Sequence, residues 1–311
     1  MIDFSKKDLL FLAPLAGFTD LPFRGVVKKF GADVTISEMI SSNALVYSSK
    51  KTYKMIKKAK NETPFIVQIA GNNKEIVKEA VLILNEIEGI DGIDLNCGCP
   101  VPKVVKQGSG SALLNDLSKM AKIIETIKVN SNKKYTSVKS RLGFNEKNAP
   151  KIAKICEDSG ADFVVFHGRT RSDGYKKDRI DYNEIKAAKK AVKIPIIANG
   201  EIDSFEKYKY VKNLTNADAI MIGRGAIGNP WIFYQIKKGV KELKKEKIKE
   251  IVIEHFDSMV EFYGERGVLL FRKHIHSYSK NFPYAASFRD KFNKIKDVKV
   301  ARESILDFFS S

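Results

Sequence analysis

Short apolar runs rich in β-formers recur along the first two thirds of the chain, each bounded by turn residues. They are LLFLA (9–13), VTISE (34–38), PFIVQIA (64–70), GIDLN (92–96), TSVKSR (136–141), FVVFH (163–167), IPIIAN (194–199) and AIMIG (219–223). Such runs predict strands. Between them the apolar positions change to helical spacing. IVKEAVLILNEI (76–87) repeats on one face, SKMAKIIETIK (118–128) is expected to start from a cap at Ser118, and APKIAKICEDSGAD (149–162) to end at Gly160. Strict alternation of eight strands and helices predicts a parallel sheet closed into an α/β (β/α)8 TIM barrel.

After Trp231 no strand pattern survives. IKEIVIEHFDSMVEFYG (248–264) carries its apolar residues on one helical face. VLLFRKHIHSYSK, FPYAASFRDKFNKI and VKVARESILDFF predict three further helices. The expected organisation is a barrel at 1–235 followed by a small C-terminal helical bundle at 236–311.

Composition adds charge and compartment. A net charge of +18 over 311 residues attracts polyanions, although the 45 lysines against 10 arginines also lie on plainly solvated faces such as KKGVKELKKEKIKE. Three cysteines (97, 99 and 156) are too few and odd in number for a secreted disulfide scaffold. Lys6 and Lys7 before LLFLAPLAGF imitate a signal peptide, but the run contains Pro14 and is too short to span a bilayer. The expectation is a cytoplasmic protein with no membrane segment and no evident obligate protein partner.

In a barrel of this kind the site lies where strands end. Here those ends read APLAG (13–17), Gln68 with AG, NCGCP (96–100), KSR (139–141), HGRTR (167–171), NGE (199–201) and GRG (223–225). NGE and IGRG place glycine amides beside Arg224 after strands seven and eight, which suits a phosphate. Lys139 and His167 end adjacent strands, and a cation there suits a heterocycle that becomes anionic on reduction, as flavin does. His255, His274 and His276 read as packing or surface residues, and Cys156 as core.

APLAGFTD, VQIAG, IDLNCGCP, VKSR, HGRTR, NGE and IGRGAIGNPW, in this order, resemble the flavin-dependent tRNA dihydrouridine synthase family. RKHIHSY followed by AASFRDKFN resembles the helical domain of its bacterial B-type branch, so the likeness spans nearly the whole chain. It implies an FMN-dependent oxidoreductase that reduces the C5–C6 bond of a D-loop uridine in tRNA, with FMN tightly bound and reloaded by NADPH. The family's general acid falls on Cys99, with Cys97 at a variable position. Its FMN contacts fall on Pro14, Leu15, Ala16, Gln68, Lys139, His167, Asn199, Gly200, Glu201, Gly223 and Arg224. Asn96 would hold the uracil, and Arg169, Arg171 and Tyr175 would meet tRNA. In that chemistry hydride adds to C6 and a thiol protonates C5, so Cys99 stays protonated until that step. The uracil must first leave its stack.

The chain departs from the family at Leu15 for Met, Glu201 for Asp, Lys177 for Gly and Ser277 for Trp; the last two bear on tRNA docking. Other readings are a flavin barrel reducing a free pyrimidine or enone, and a tRNA-binding or tRNA-folding protein without turnover. A metal site on the cysteines is not expected, because C-x-C lacks the second pair that structural zinc takes, and a disulfide across one glycine would be strained.

Overall fold

The computed structural model describes residues 1–240, 242–280 and 282–310. Eight parallel strands form one closed sheet: β1 Leu10–Leu12, β2 Val34–Ile36, β3 Phe65–Ala70, β4 Gly92–Cys97, β5 Tyr135–Arg141, β6 Phe163–His167, β7 Ile196–Asn199 and β8 Ala219–Ile222. The ring is completed by β1 pairing with β8 through Phe11 opposite Met221, together with β2 pairing with β3 through Ile36 opposite Ile66. A two-residue strand, Ile40–Ser41, adds to the far end of β3. The fold is a (β/α)8 barrel.

Strand alternation divides the core in two. Leu10, Leu12, Val67, Ile69, Ile93, Leu95 and Val138 face outward and pack on the helices. Phe11, Val34, Ile36, Ile66, Phe163, Val165, Ile197 and Met221 fill the lower barrel, which Ile2 and Leu9 close beneath. Higher up, the inward positions change character, to Gln68, Asp94, Ser137, Lys139 and Asn199. Apolar layers below and polar layers above put any chemistry at the C-terminal end of the strands.

The predicted helices appear at Lys74–Asn85, Leu117–Asn130 and Ala149–Asp158. One cap differs from expectation: the Asp116 carboxylate, not Ser118, accepts the Lys119 N–H at 2.9 Å, because helix formation begins two residues earlier, at Leu117. Gly160, at φ +87°, follows the third helix, in a backbone conformation that glycine takes without strain.

Helices Lys245–Tyr263, Arg266–Tyr278, Ala285–Phe292 and Val298–Ser310 follow. Their apolar faces share a second core of Ile251, Phe256, Met259, Phe271, Ile275, Phe292 and Phe309. Val26 and Trp231 join that core from the barrel side, and Trp231 stacks on Tyr278 with ring centroids 6.3 Å apart. The helix Ile232–Lys238 instead buries Ile232, Phe233 and Ile236 in the barrel's outer core. Among the described residues no helix is long and apolar enough to cross a membrane.

Candidate active site

A cavity of about 980 Å³ opens at the polar end of the barrel and runs out to the helical part of the chain. Pro14, Leu15, Ala16, Gln68, Asn96, Cys99, Lys139, His167, Tyr175, Asn199, Gly200, Glu201, Gly223 and Arg224 all border it. These belong to seven of the barrel's strand ends, so residues scattered over more than two hundred positions share one wall. Lys177, Ser277 and Tyr278 border its outer part.

The end of β4 is held by a chain of polar side chains. Asp94 accepts from Ser137 Oγ at 2.6 Å and from Gln68 Nε2 at 2.8 Å; the Gln68 carbonyl in turn accepts from Asn96 Nδ2 at 2.7 Å. Asn96 Oδ1 then accepts the backbone N–H groups of Gly98 and Cys99 at 3.1 and 2.9 Å. Burial raises Asp94 to about 6, against the lowering by its hydrogen bonds.

Beyond that turn the Cys99 carbonyl accepts from the Ser111 N–H at 3.1 Å and from its hydroxyl at 2.9 Å. A Cβ on Gly110, at φ +63°, would lie 2.9 Å from the Cys99 carbonyl, so only glycine lets this segment support the cysteine loop. Cys99 is a free, half-buried thiol on the cavity wall. Cys97 points the other way, fully buried in the outer core, where burial pushes its thiol well above the usual range. The two cysteines occupy different compartments because two residues do not separate them along a continuous strand: β4 ends at Cys97.

Lys139 and His167 stand side by side above the apolar layers. Burial pulls Lys139 down to about 8, and its ammonium lies 3.3 Å from Asn199 Oδ1. His167 is pushed well below its normal value by burial, then by the cations Lys139, Arg141, Arg169 and Arg224. It is therefore a neutral ring near pH 7, and its buried Nδ1 has no partner among the described residues. Such an atom fits a ligand that supplies the missing hydrogen bond.

On the neighbouring strand end Gly200 adopts φ +125°, and a Cβ there would meet Ile180 Cδ1 at 2.8 Å. Its carbonyl accepts from Tyr182 Oη at 2.8 Å. Next to it Glu201, at φ +48°, binds Arg169 at 2.7 Å and also pairs with the half-exposed Arg224. Bare glycine backbone beside a guanidinium on this rim is an arrangement that would suit an anion, with Arg224 already sharing its charge with Glu201.

Two expected RNA contacts lie elsewhere. Arg169 is fully buried, donating to Glu201 and to the Lys176 carbonyl at 2.7 Å, so it braces the rim from beneath and does not reach solvent. Arg171 lies outside the cavity with its guanidinium 5.0 Å from the Phe144 ring centroid. Tyr175, by contrast, is 59% exposed at the mouth, flanked by Arg141 at 5.4 Å and Arg224 at 5.5 Å.

Arg141 is the principal residue that sequence reasoning passed over. It donates to the Gly98 carbonyl at 2.9 Å, to Thr170 at 2.6 Å and to Gly174 at 2.9 Å, tying the cysteine loop to the loop that carries Tyr175. Its place after Lys139, two positions along the same strand and so on the same face, was the available signal. Asp94 was similarly readable, two positions before Asn96.

The pattern for dihydrouridine synthase (Dus) matches residues 11–311. The chain belongs to the dihydrouridine synthase family. It is 53% identical over 309 residues to a probable tRNA-dihydrouridine synthase of Helicobacter pylori (strain ATCC 700392 / 26695), covering 99% of this chain and 94% of the relative. A probable tRNA-dihydrouridine synthase of Rickettsia conorii is 42% identical, covering 97% of this chain and 93% of the relative. tRNA-dihydrouridine synthase B of Vibrio vulnificus is 38% identical, covering 99% and 98%. Among solved structures, the old yellow enzyme of Trypanosoma cruzi superposes with a TM-score of 0.57 over 82% of this chain and 93% of that one. At 8% identity that likeness concerns the barrel fold alone.

Proposed function

We propose that this synthase reduces the C5–C6 double bond of a D-loop uridine in tRNA, with FMN held in the barrel-mouth cavity and NADPH as the reductant. The observation that carries this reading is the free thiol of Cys99 on the same cavity wall as Lys139, His167 and the Gly200–Arg224 rim, while Cys97 is turned into the core.

The residues fit that cofactor. Pro14, Leu15 and Ala16 offer an apolar face, Gln68, Lys139 and the unpartnered His167 Nδ1 offer polar contacts, and Asn199, Gly200, Glu201, Gly223 and Arg224 border the rim that would suit an anion. When bound, FMN supplies the hydride that reaches C6 of the uracil. Cys99 Sγ–H then gives its proton to C5, as a positioned acid whose loop is fixed by Asn96 and Ser111. Asn96 has one amide N–H committed to Gln68 and one left to hold the base. The protein must also receive a base extruded from folded RNA. Tyr175 offers an exposed stacking face between two arginines, and the +18 charge draws in the phosphate backbone. Arg169 contributes by setting Glu201 beneath the rim.

The test is to purify the protein, record its visible spectrum, and supply NADPH with either dihydrouridine-free tRNA or free uridine. A flavin spectrum with dihydrouridine forming in tRNA alone is expected. A colourless protein, or free uridine reduced as fast as tRNA, would overturn the proposal.

A further inference from the structure

Away from the cavity, three side chains from distant parts of the chain meet in a buried cluster. Asp20 is the N-cap of the barrel helix Leu21–Lys29, His255 lies in Lys245–Tyr263 and His274 in Arg266–Tyr278. Both histidines are fully buried and Asp20 is 5% exposed. One donor atom from each lies within 4.8 Å of the others. The surroundings are aromatic: Phe23 stacks on His274 at 5.4 Å, Phe18 meets it edge-on, and Phe271 meets His255 at 5.1 Å.

Polar accounting at this cluster does not close. His255 Nδ1 lies 3.0 Å from the Tyr278 hydroxyl, but His255 Nε2 and both ring nitrogens of His274 have no hydrogen-bond partner among the described residues. Three bare nitrogens in a closed aromatic pocket are rare without something to bind them. Burial, with Lys273 adding, holds His255 down to about 3 and His274 well below its normal value, so both rings offer lone pairs and no charge. Asp20, raised to about 6 chiefly by burial, retains a carboxylate at neutral pH. Arg24, the nearest buried cation in sequence, is already committed to Glu62 and to the Thr19 and Lys57 carbonyls.

We propose that Asp20, His255 and His274 form a structural site for a zinc-class divalent transition-metal ion that fastens the helical part of the chain to the first βα loop of the barrel. Two imidazoles and a carboxylate are a donor set that zinc takes, whereas magnesium and calcium prefer oxygen alone. If the His255 Nδ1–H donates to Tyr278, Nε2 is left bare, the arrangement by which an outer partner orients a ligating histidine. Asp20 accepts the Phe23 N–H through Oδ1 and also accepts from the Tyr263 hydroxyl, so the ion would share the carboxylate with both. On a tetrahedral ion the donors lie about 3.4 Å apart, so the cluster would tighten on loading. Lys273, the cation facing the pocket, opposes binding in part. Asp20 sits one residue past the Leu15–Thr19 turn, which Thr19 Oγ1 closes on the Leu15 N–H at 2.8 Å, so the ion would steady the loop that borders the cavity.

The experiment uses the full chain carrying Cys99→Ser, which removes the cavity-facing thiol as a competing ligand. After equilibration with Zn²⁺ and desalting, zinc per chain is measured by elemental analysis, and Co²⁺ is used as a visible-absorbing probe. The result expected is one zinc per chain, cobalt ligand-field bands, and a melting temperature that rises with Zn²⁺ and falls with chelator. Asp20→Asn, which keeps a competent N-cap, and His274→Ala should each lose the zinc and the zinc-dependent shift. Equal zinc retention by Asp20→Asn, or no retention by the Cys99→Ser parent, would overturn the proposal and leave the cluster a packing junction.

Discussion

Asn96 Oδ1 accepts the backbone N–H of Cys99 at 2.9 Å, so the end of β4 is folded back on itself and the thiol is aimed by a side chain three residues earlier. Removing that acceptor should loosen the acid without removing it. Asn96→Ala is expected to slow single-turnover reduction of tRNA about 10- to 100-fold, about 1.4–2.7 kcal/mol. Asn96→Asp, which keeps the acceptor for Cys99, should retain more activity than Asn96→Ala; equal rates would deny the aiming role.

Arg141 makes three carbonyl contacts from one buried fork. A lysine cannot reproduce the planar geometry. Arg141→Lys should therefore destabilise the protein by about 2–4 kcal/mol in denaturant titration. It should also raise the KM for tRNA more than it lowers kcat, because the Tyr175 loop loses its anchor.

Glu201 combines a left-handed backbone with a shared ion pair. Glu201→Ala leaves the buried Arg169 without its carboxylate and should cost about 2–4 kcal/mol, somewhat below the ~3–5 kcal/mol of a fully buried broken pair since Glu201 is partly exposed. Glu201→Gly makes the same electrostatic loss but relieves φ +48°. Thermal melts should place it about 1 kcal/mol above Glu201→Ala.

Lys139 titrates at about 8 in the unliganded chain, lowered by burial. A ligand acceptor beside it, such as the electron-rich flavin ring, favours the ammonium and raises that value, so affinity is flat where the ammonium is already charged and falls where it must be protonated on binding. FMN affinity, followed by fluorescence quenching, is expected to be constant below pH 8 and to decline above it. Lys139→Met should flatten that decline while weakening binding throughout.

Much of this architecture could be read from apolar spacing. The eight runs became the eight barrel strands because β-rich segments alternating with helical ones pair in parallel and eight such units suffice to close the sheet, and their ragged ends, such as Ile196 for the expected Ile194, reflect Pro195 interrupting the ladder. NCGCP gave the right loop, yet nothing local separates Cys97 from Cys99. The difference comes from where the strand stops: alternation sends Cys97 into the outer core after Ile93 and Leu95, and β4 ends there, so Cys99 is freed to turn toward the cavity.

Residues acting through others were harder to see. Arg169 looks like a surface cation in HGRTR, but the rim folds over it, and its partner Glu201 lies thirty-two positions away. Asp20, His255 and His274 are ordinary in the string, and only the packing of two helices on the first βα loop brings them together. Long-range pairing of this kind has no periodic signature.

The roles of the two cysteines are separated by comparing them in one assay. Pre-reduced protein is mixed with dihydrouridine-free tRNA, and flavin reoxidation and dihydrouridine are followed for wild type, Cys99→Ala and Cys97→Ala. The account requires Cys99→Ala to fall by at least about 100-fold, within the range for loss of a positioned acid, while Cys97→Ala, though less stable, turns over at close to the wild-type rate. A Cys99→Ala protein as fast as wild type, or a Cys97→Ala protein that folds and fails, would contradict it.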